Sequence, residues 1–210
     1  MTFFNPNAPL LCLKPNVLAL PDSPGLWRCH WQVGHITLVS TFYTPLDQIC
    51  LFWGVICIGI FVTAQFVPIS WTTQAVWWSI LSLIGTGGMM VLTPSWLREE
   101  RLGWVLNSWV ILMLLGVALT DLSIFLGWGG VLMNLCPLWL GLVALGYLGT
   151  GLGMRSRTLI LTGVIHLLAI GILPFVGVMQ FLATGIIMGG SSVLLAVLQW
   201  DSFGTCGGQL

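Results

Sequence analysis

At 210 residues, with 57% hydrophobic and 6% charged residues and a mean hydropathy of +1.01, the chain lies far from the usual soluble mix of about 25% charged. It reads as an integral membrane protein with room for one bundle. Basic and acidic residues number six each, so no basic stripe exists for counterion release from phosphates, and nucleic-acid binding is excluded.

Residues 1–47 carry Pro6, Pro9, Pro15, Pro21, Pro24 and Pro45, each removing a donor and blocking helix continuation. This proline-rich segment is expected to lie outside the membrane. It lacks the basic start, apolar core and small-residue cleavage site of a signal peptide, and Leu10-Leu11-Cys12 lacks the context of a lipid-attachment site. Val33 to Tyr43 is rich in β-branched and aromatic residues and reads as a short strand or an interfacial segment.

From Ile49 to Leu97 there is no Lys, Arg, Asp or Glu. Ile49–Val67 is long enough to cross a hydrocarbon core of about 30 Å, and Pro68 ends it. Trp71–Leu92 is the second span. Arg98-Glu99-Glu100-Arg101 must then be wet. Leu102–Thr120 is the third span, with Asp121 at its far end. Leu122–Asn134, broken by Gly127, Gly129 and Gly130, reads as a loop or a re-entrant piece. Pro137–Met154 is the fourth span, with Pro137 suited to its first turn. After Arg155-Ser156-Arg157, Thr158–Val178 and Gln180–Gln199 form a hairpin of the fifth and sixth spans. The expectation is an all-α, polytopic six-helix bundle over 48–200 with a short tail, 201–210.

All six basic residues (Lys14, Arg28, Arg98, Arg101, Arg155, Arg157) fall on one side of this arrangement. By the positive-inside rule both termini are cytosolic, or stromal in a thylakoid. Trp71, Trp96, Trp128 and Trp200 fall near span boundaries, as an aromatic belt requires. Cys50, Cys57 and Cys136 belong to or border apolar runs, and Cys12, Cys29 and Cys206 face the cytosol, so all six are expected to be thiols rather than disulfides.

His166, near the middle of the fifth span, is the first functional candidate, because a polar side chain at that depth needs a partner. A hydrogen bond across helices satisfies it; axial ligation of a chlorophyll-type pigment is the one specific cofactor reading. Asp121 is an interfacial carboxylate or a cation entry point. Gly85-Thr86-Gly87-Gly88 is either close helix packing or an unwound half-helix lining a transport path together with His166, Ser191 and Ser192. Gly149 with Gly153, and Gly185 with Gly189, have the four-residue spacing of packing contacts. Cys12, Cys29, His30, His35 and Cys206 are too irregularly spaced for zinc, and no metal site is expected. No protease, phosphate-loop or hydrolase motif occurs. These features suggest a non-enzymatic membrane protein that binds another membrane protein, itself, or lipid-like or pigment ligands. The alternative is a small transporter or channel for a neutral or weakly polar solute.

Overall fold

A computed structural model describes residues 9–14, 25–33, 36–93 and 102–201, with only the backbone described for 31–40. The charged turn at 98–101 and Cys206 lie outside the described residues. Six long helices dominate: α1 (Pro45–Phe66), α2 (Trp71–Leu92), α3 (Gly103–Phe125), α4 (Leu135–Gly153), α5 (Arg157–Ile172) and α6 (Gln180–Val197). Five helical runs are long and apolar enough to cross a membrane, counting Arg157–Val197 as one run of 41 residues.

That last run doubles back. Leu173–Met179 is a 3-10 segment containing Pro174, and Gly177 within it leaves helical geometry at φ 56°, ψ −124°, a conformation open to glycine and strained for other residues. Beyond α6, Asp201 accepts hydrogen bonds from Ser156 and from the backbone N–H groups of Arg157 and Thr158 at the start of α5. The two ends of the run therefore meet, and α5 and α6 are antiparallel. The helix expected to reach Val178 stops at Ile172 because Pro174 cannot extend it. Gln65, at the end of α1, covers the break: its Nε2 donates to Val178 O at 3.1 Å and its Oε1 accepts from Leu182 N at 3.2 Å.

Other boundaries also differ from the sequence reading. α1 starts at Pro45, four residues before the expected Ile49, because Thr44 and Asp47 form a reciprocal capping box and proline suits the first turn. α3 runs past Thr120 to Phe125, so Asp121 lies inside a helix rather than at its end. Leu122–Asn134 divides between the last turn of α3, a positive-φ Gly127 and a single helical turn at Gly129–Leu132. Outside the helices, β2 (Trp27–Val33) and β3 (Ile36–Tyr43) form an antiparallel hairpin, and β1 (Leu11–Cys12) pairs with β4 (Gln199–Trp200).

The helices close into a ring in chain order, with α1 beside α6. The N-terminal ends of α1, α3 and α5 gather at one end, here the terminal end, with Lys14, Arg157 and both short strands; the turn at Gly177 marks the far end. Close approaches use glycine. A Cβ on Gly189 of α6 would lie 2.5 Å from Ile58 Cγ1 and 3.1 Å from the Gly54 carbonyl oxygen of α1. Gly185 abuts Phe61 in the same seam, Gly153 abuts Trp104 and Val105, and Gly149 makes only ordinary contact with Trp104. Outward, large apolar side chains such as Val91, Ile111, Leu126 and Leu168 are exposed, which is compatible with a surface that faces lipid. Gly189→Val should lower stability by about 1–3 kcal/mol by forcing α1 and α6 apart, whereas Gly190→Ala, which meets nothing within 4 Å, should be neutral; thermal unfolding in detergent measures both.

Candidate functional site

The ring encloses a slender apolar cavity of about 170 Å³ to which all six helices contribute. Along α1 its lining runs from Leu46 to Ala64, about 27 Å at the helical rise, close to the thickness of a hydrocarbon core. Indoles form much of the wall: Trp53, Trp78, Trp109 and Trp139. Two of them cross-link α3 and α4 reciprocally. Trp109 Nε1 donates to Thr150 Oγ1 at 2.8 Å, and Trp139 Nε1 donates to Thr120 Oγ1 at 3.1 Å. Glycines on the facing helix receive the rings, Gly146 against Trp109 and Gly116 against Trp139. Tyr147 OH lies 3.0 Å from Ser192 Oγ. Because the Ser192 hydroxyl already donates to Met188 O at 2.9 Å, the phenol is the donor in that pair.

Of the candidates read from sequence, only Ser192 lines this slot. His166 is fully buried. Its Nδ1 lies 2.8 Å from Thr162 O, which can only accept, so the ring proton sits there; Nε2 faces Ser191 Oγ at 3.5 Å. The Tyr147 ring packs at 5.3 Å. This leaves no open side for a macrocycle, so the geometry gives pigment ligation no support. Thr86 is buried and donates to Ser82 O within α2. Gly87 is exposed with open space around it, and Gly88 packs on Phe52. α2 is continuous through these residues, which removes the unwound half-helix of the transport reading. Asp121 does not reach the slot; it accepts from Ser79 Oγ, at 2.9 and 2.8 Å from its two oxygens. Ser191 donates to Met188 O at 3.0 Å.

The terminal end is closed by polar knots that sequence reading missed. Lys14 Nζ donates to Asp47 Oδ2 at 2.8 Å, Phe42 O at 2.9 Å and Ala196 O at 2.7 Å. All three ammonium protons are thus used, and the two side chains are only 4% and 7% exposed. Phe42 and Tyr43 rings lie 5.2 and 4.7 Å from the same nitrogen. The available signal was the Thr44-to-Asp47 capping box beside a lone lysine. Asp201 forms the second knot, with Ser156, Arg157 and Thr158. Trp200, expected in an aromatic belt, is buried and lines the slot, while Trp71 and Trp128 are exposed.

Cys12 is disulfide-bonded, contrary to the expectation of thiols throughout, and Cys29, Cys50, Cys57 and Cys136 are free. Among the described residues no three His, Cys, Asp or Glu side chains are placed to hold a metal ion; His35 and Cys206 lie outside them. No protein family, curated protein or solved structure matches the chain.

Lys14→Met should cost about 3 kcal/mol, because it strands a buried carboxylate, and Lys14→Met/Asp47→Asn should recover part of that loss in thermal unfolding. Asp201 carries a pH dependence. Burial alone would raise its carboxyl, but hydrogen bonds from Thr158, Arg157 and Ser156 outweigh burial and hold it below the ordinary carboxylate range. A folded value below the unfolded one stabilises the fold above about pH 4, and that contribution disappears as pH falls through the folded value. The difference in unfolding midpoint between wild type and Asp201→Asn should therefore be widest near neutral pH and narrow as the pH drops below about 4.

Proposed function

We propose that this is a multi-pass membrane protein whose six helices each cross the bilayer and whose activity is to hold a slender lipid-like molecule in the slot, without converting it. The observation that carries this reading is the shape and chemistry of the slot: a narrow, indole-walled cavity about as long as a hydrocarbon core is thick. Small-molecule sites are concave, mostly apolar and furnished with few polar groups, and this one matches a single hydrocarbon chain better than a hydrated ion or a sugar. Transport of a polar solute finds no such support, since Thr86, Asp121, His166 and Ser191 all lie off the slot.

The terminal end is proposed to face the cytosol. Lys14, Arg28, Arg155 and Arg157 belong to segments at that end, and in sequence Arg98 and Arg101 fall between α2 and α3, which is the positive-inside pattern. The Cys12 disulfide pulls the other way, because disulfides persist in oxidising compartments. The charge asymmetry is the weightier argument, since it uses every basic residue in the chain. Cys29, free and exposed, is a native reporter: a membrane-impermeant maleimide should label it in inside-out vesicles and not in intact cells, and the reverse result would invert the orientation.

Purification in mild detergent, solvent extraction and mass spectrometry should recover one slender apolar compound near one per protein. Val143 is buried and lines the slot, so Val143→Phe should lose that compound while the bundle still unfolds cooperatively. Recovery of nothing beyond bulk lipid from the wild type would sink the proposal.

A further inference from the structure

The polar groups facing the slot are unevenly satisfied. Thr93, Thr150 and Ser192 donate to carbonyl oxygens of their own helices, Ser79 donates to Asp121, and Tyr147 is paired with Ser192. Ser82 differs: it lines the slot, its residue is 3% exposed, and its hydroxyl has no hydrogen-bond partner among the described residues. One turn earlier on α2, Trp78 lines the slot, is 8% exposed, and its indole N–H has no hydrogen-bond acceptor among the described residues. Across on α3, Thr120 Oγ1 accepts from Trp139 Nε1 but finds no acceptor for its own proton among the described residues. The Ser79 to Asp121 bond sets α2 and α3 in register here, so the three donors share the far part of the slot. Ser82, Trp78 and Thr120 all line the slot, and three donors with a proton left to give in one otherwise apolar cavity describe the complement of a ligand that accepts.

We propose that the far part of the slot is the head end of the site and takes the carbonyl oxygen of a ketone, ester or quinone borne on an otherwise apolar chain. Tryptophan can only donate, while serine and threonine can donate here, so an accepting oxygen suits each of these groups. A purely hydrocarbon ligand leaves them unmet. The apolar remainder of the ligand runs toward Met154, Leu159 and Trp200 at the terminal end. This inference rests on the reading of the slot as a lipid-like site and adds the chemistry of its head.

The test uses the full-length protein in nanodiscs and two probes of matched chain length, methyl palmitate and hexadecane, each competing against a bromoalkane that quenches the slot tryptophans. The ratio of the two affinities, compared between protein variants, cancels partitioning into the disc. In wild type the ester should be favoured by about fivefold to tenfold more than in Ser82→Ala/Trp78→Phe, with hexadecane unchanged within about twofold, and Ser82→Ala alone should give an intermediate ratio. An ester-to-alkane ratio identical in wild type and variants would overturn the inference while leaving the apolar slot standing, because water would then be meeting the donors. Failure of both probes to bind wild type would overturn the slot reading itself and this inference with it.

Discussion

Hydrocarbon offers no hydrogen bonds, so helices long and apolar enough to cross a membrane can do so only if every backbone polar group finds its partner within the protein. That constraint explains where the chain is regular and how it behaves where it is not. At Leu173–Met179 the α-helical ladder is interrupted, and the orphaned groups around the turn are met by Gln65, whose amide both donates to Val178 O and accepts from Leu182 N. A side-chain amide carries the same donor and acceptor as a peptide unit, so one glutamine replaces the missing rung from a neighbouring helix. The reversal is thereby tied to the end of α1 as well as to its own sequence.

The same constraint pushes charge to the ends and then demands that it be used fully there. Lys14 spends three protons on three oxygens from α1, β3 and α6. Asp201 gathers hydrogen bonds from the first turn of α5. With these two knots, segments flanking the bundle in sequence, Leu10–Lys14 and Gln199–Asp201, become part of its closure. β1 pairing with β4 joins them to each other. In an apolar surrounding, a few saturated ionic contacts supply the positional specificity that apolar side chains alone do not.

The helices themselves were legible because length and hydropathy suffice to locate them. α2 runs from Trp71 to Leu92, as read, and the errors elsewhere trace to single residues. Pro45 was taken as a break when Thr44 and Asp47 make it a first-turn residue. Asp121 was taken as a helix end when Ser79 satisfies it inside α3. The site was not legible for a deeper reason. These helices are apolar on every side, so periodicity, which separates core from solvent in a soluble protein, has little amplitude with which to separate slot from lipid. His166 stood out by type, yet it is fully buried off the slot with its Nδ1 on Thr162 O, whereas Trp53, Trp78, Trp109 and Trp139 looked like any other tryptophans.

What distinguishes the slot from an ordinary packing defect is how it is built. Lipid provides no hydrophobic drive for helix association, so neighbouring helices adhere by close contact, and here glycines supply it: Gly54 and Gly189 between α1 and α6, Gly116 and Gly146 between α3 and α4. At the second seam the glycine receives an indole instead of a backbone, and the ring nitrogen is fixed to a threonine across the interface. A tryptophan held at both its face and its nitrogen cannot rotate inward to fill the centre. Small residues thus draw the helices together at the seams while the pinned indoles of Trp109 and Trp139 line part of the space between them.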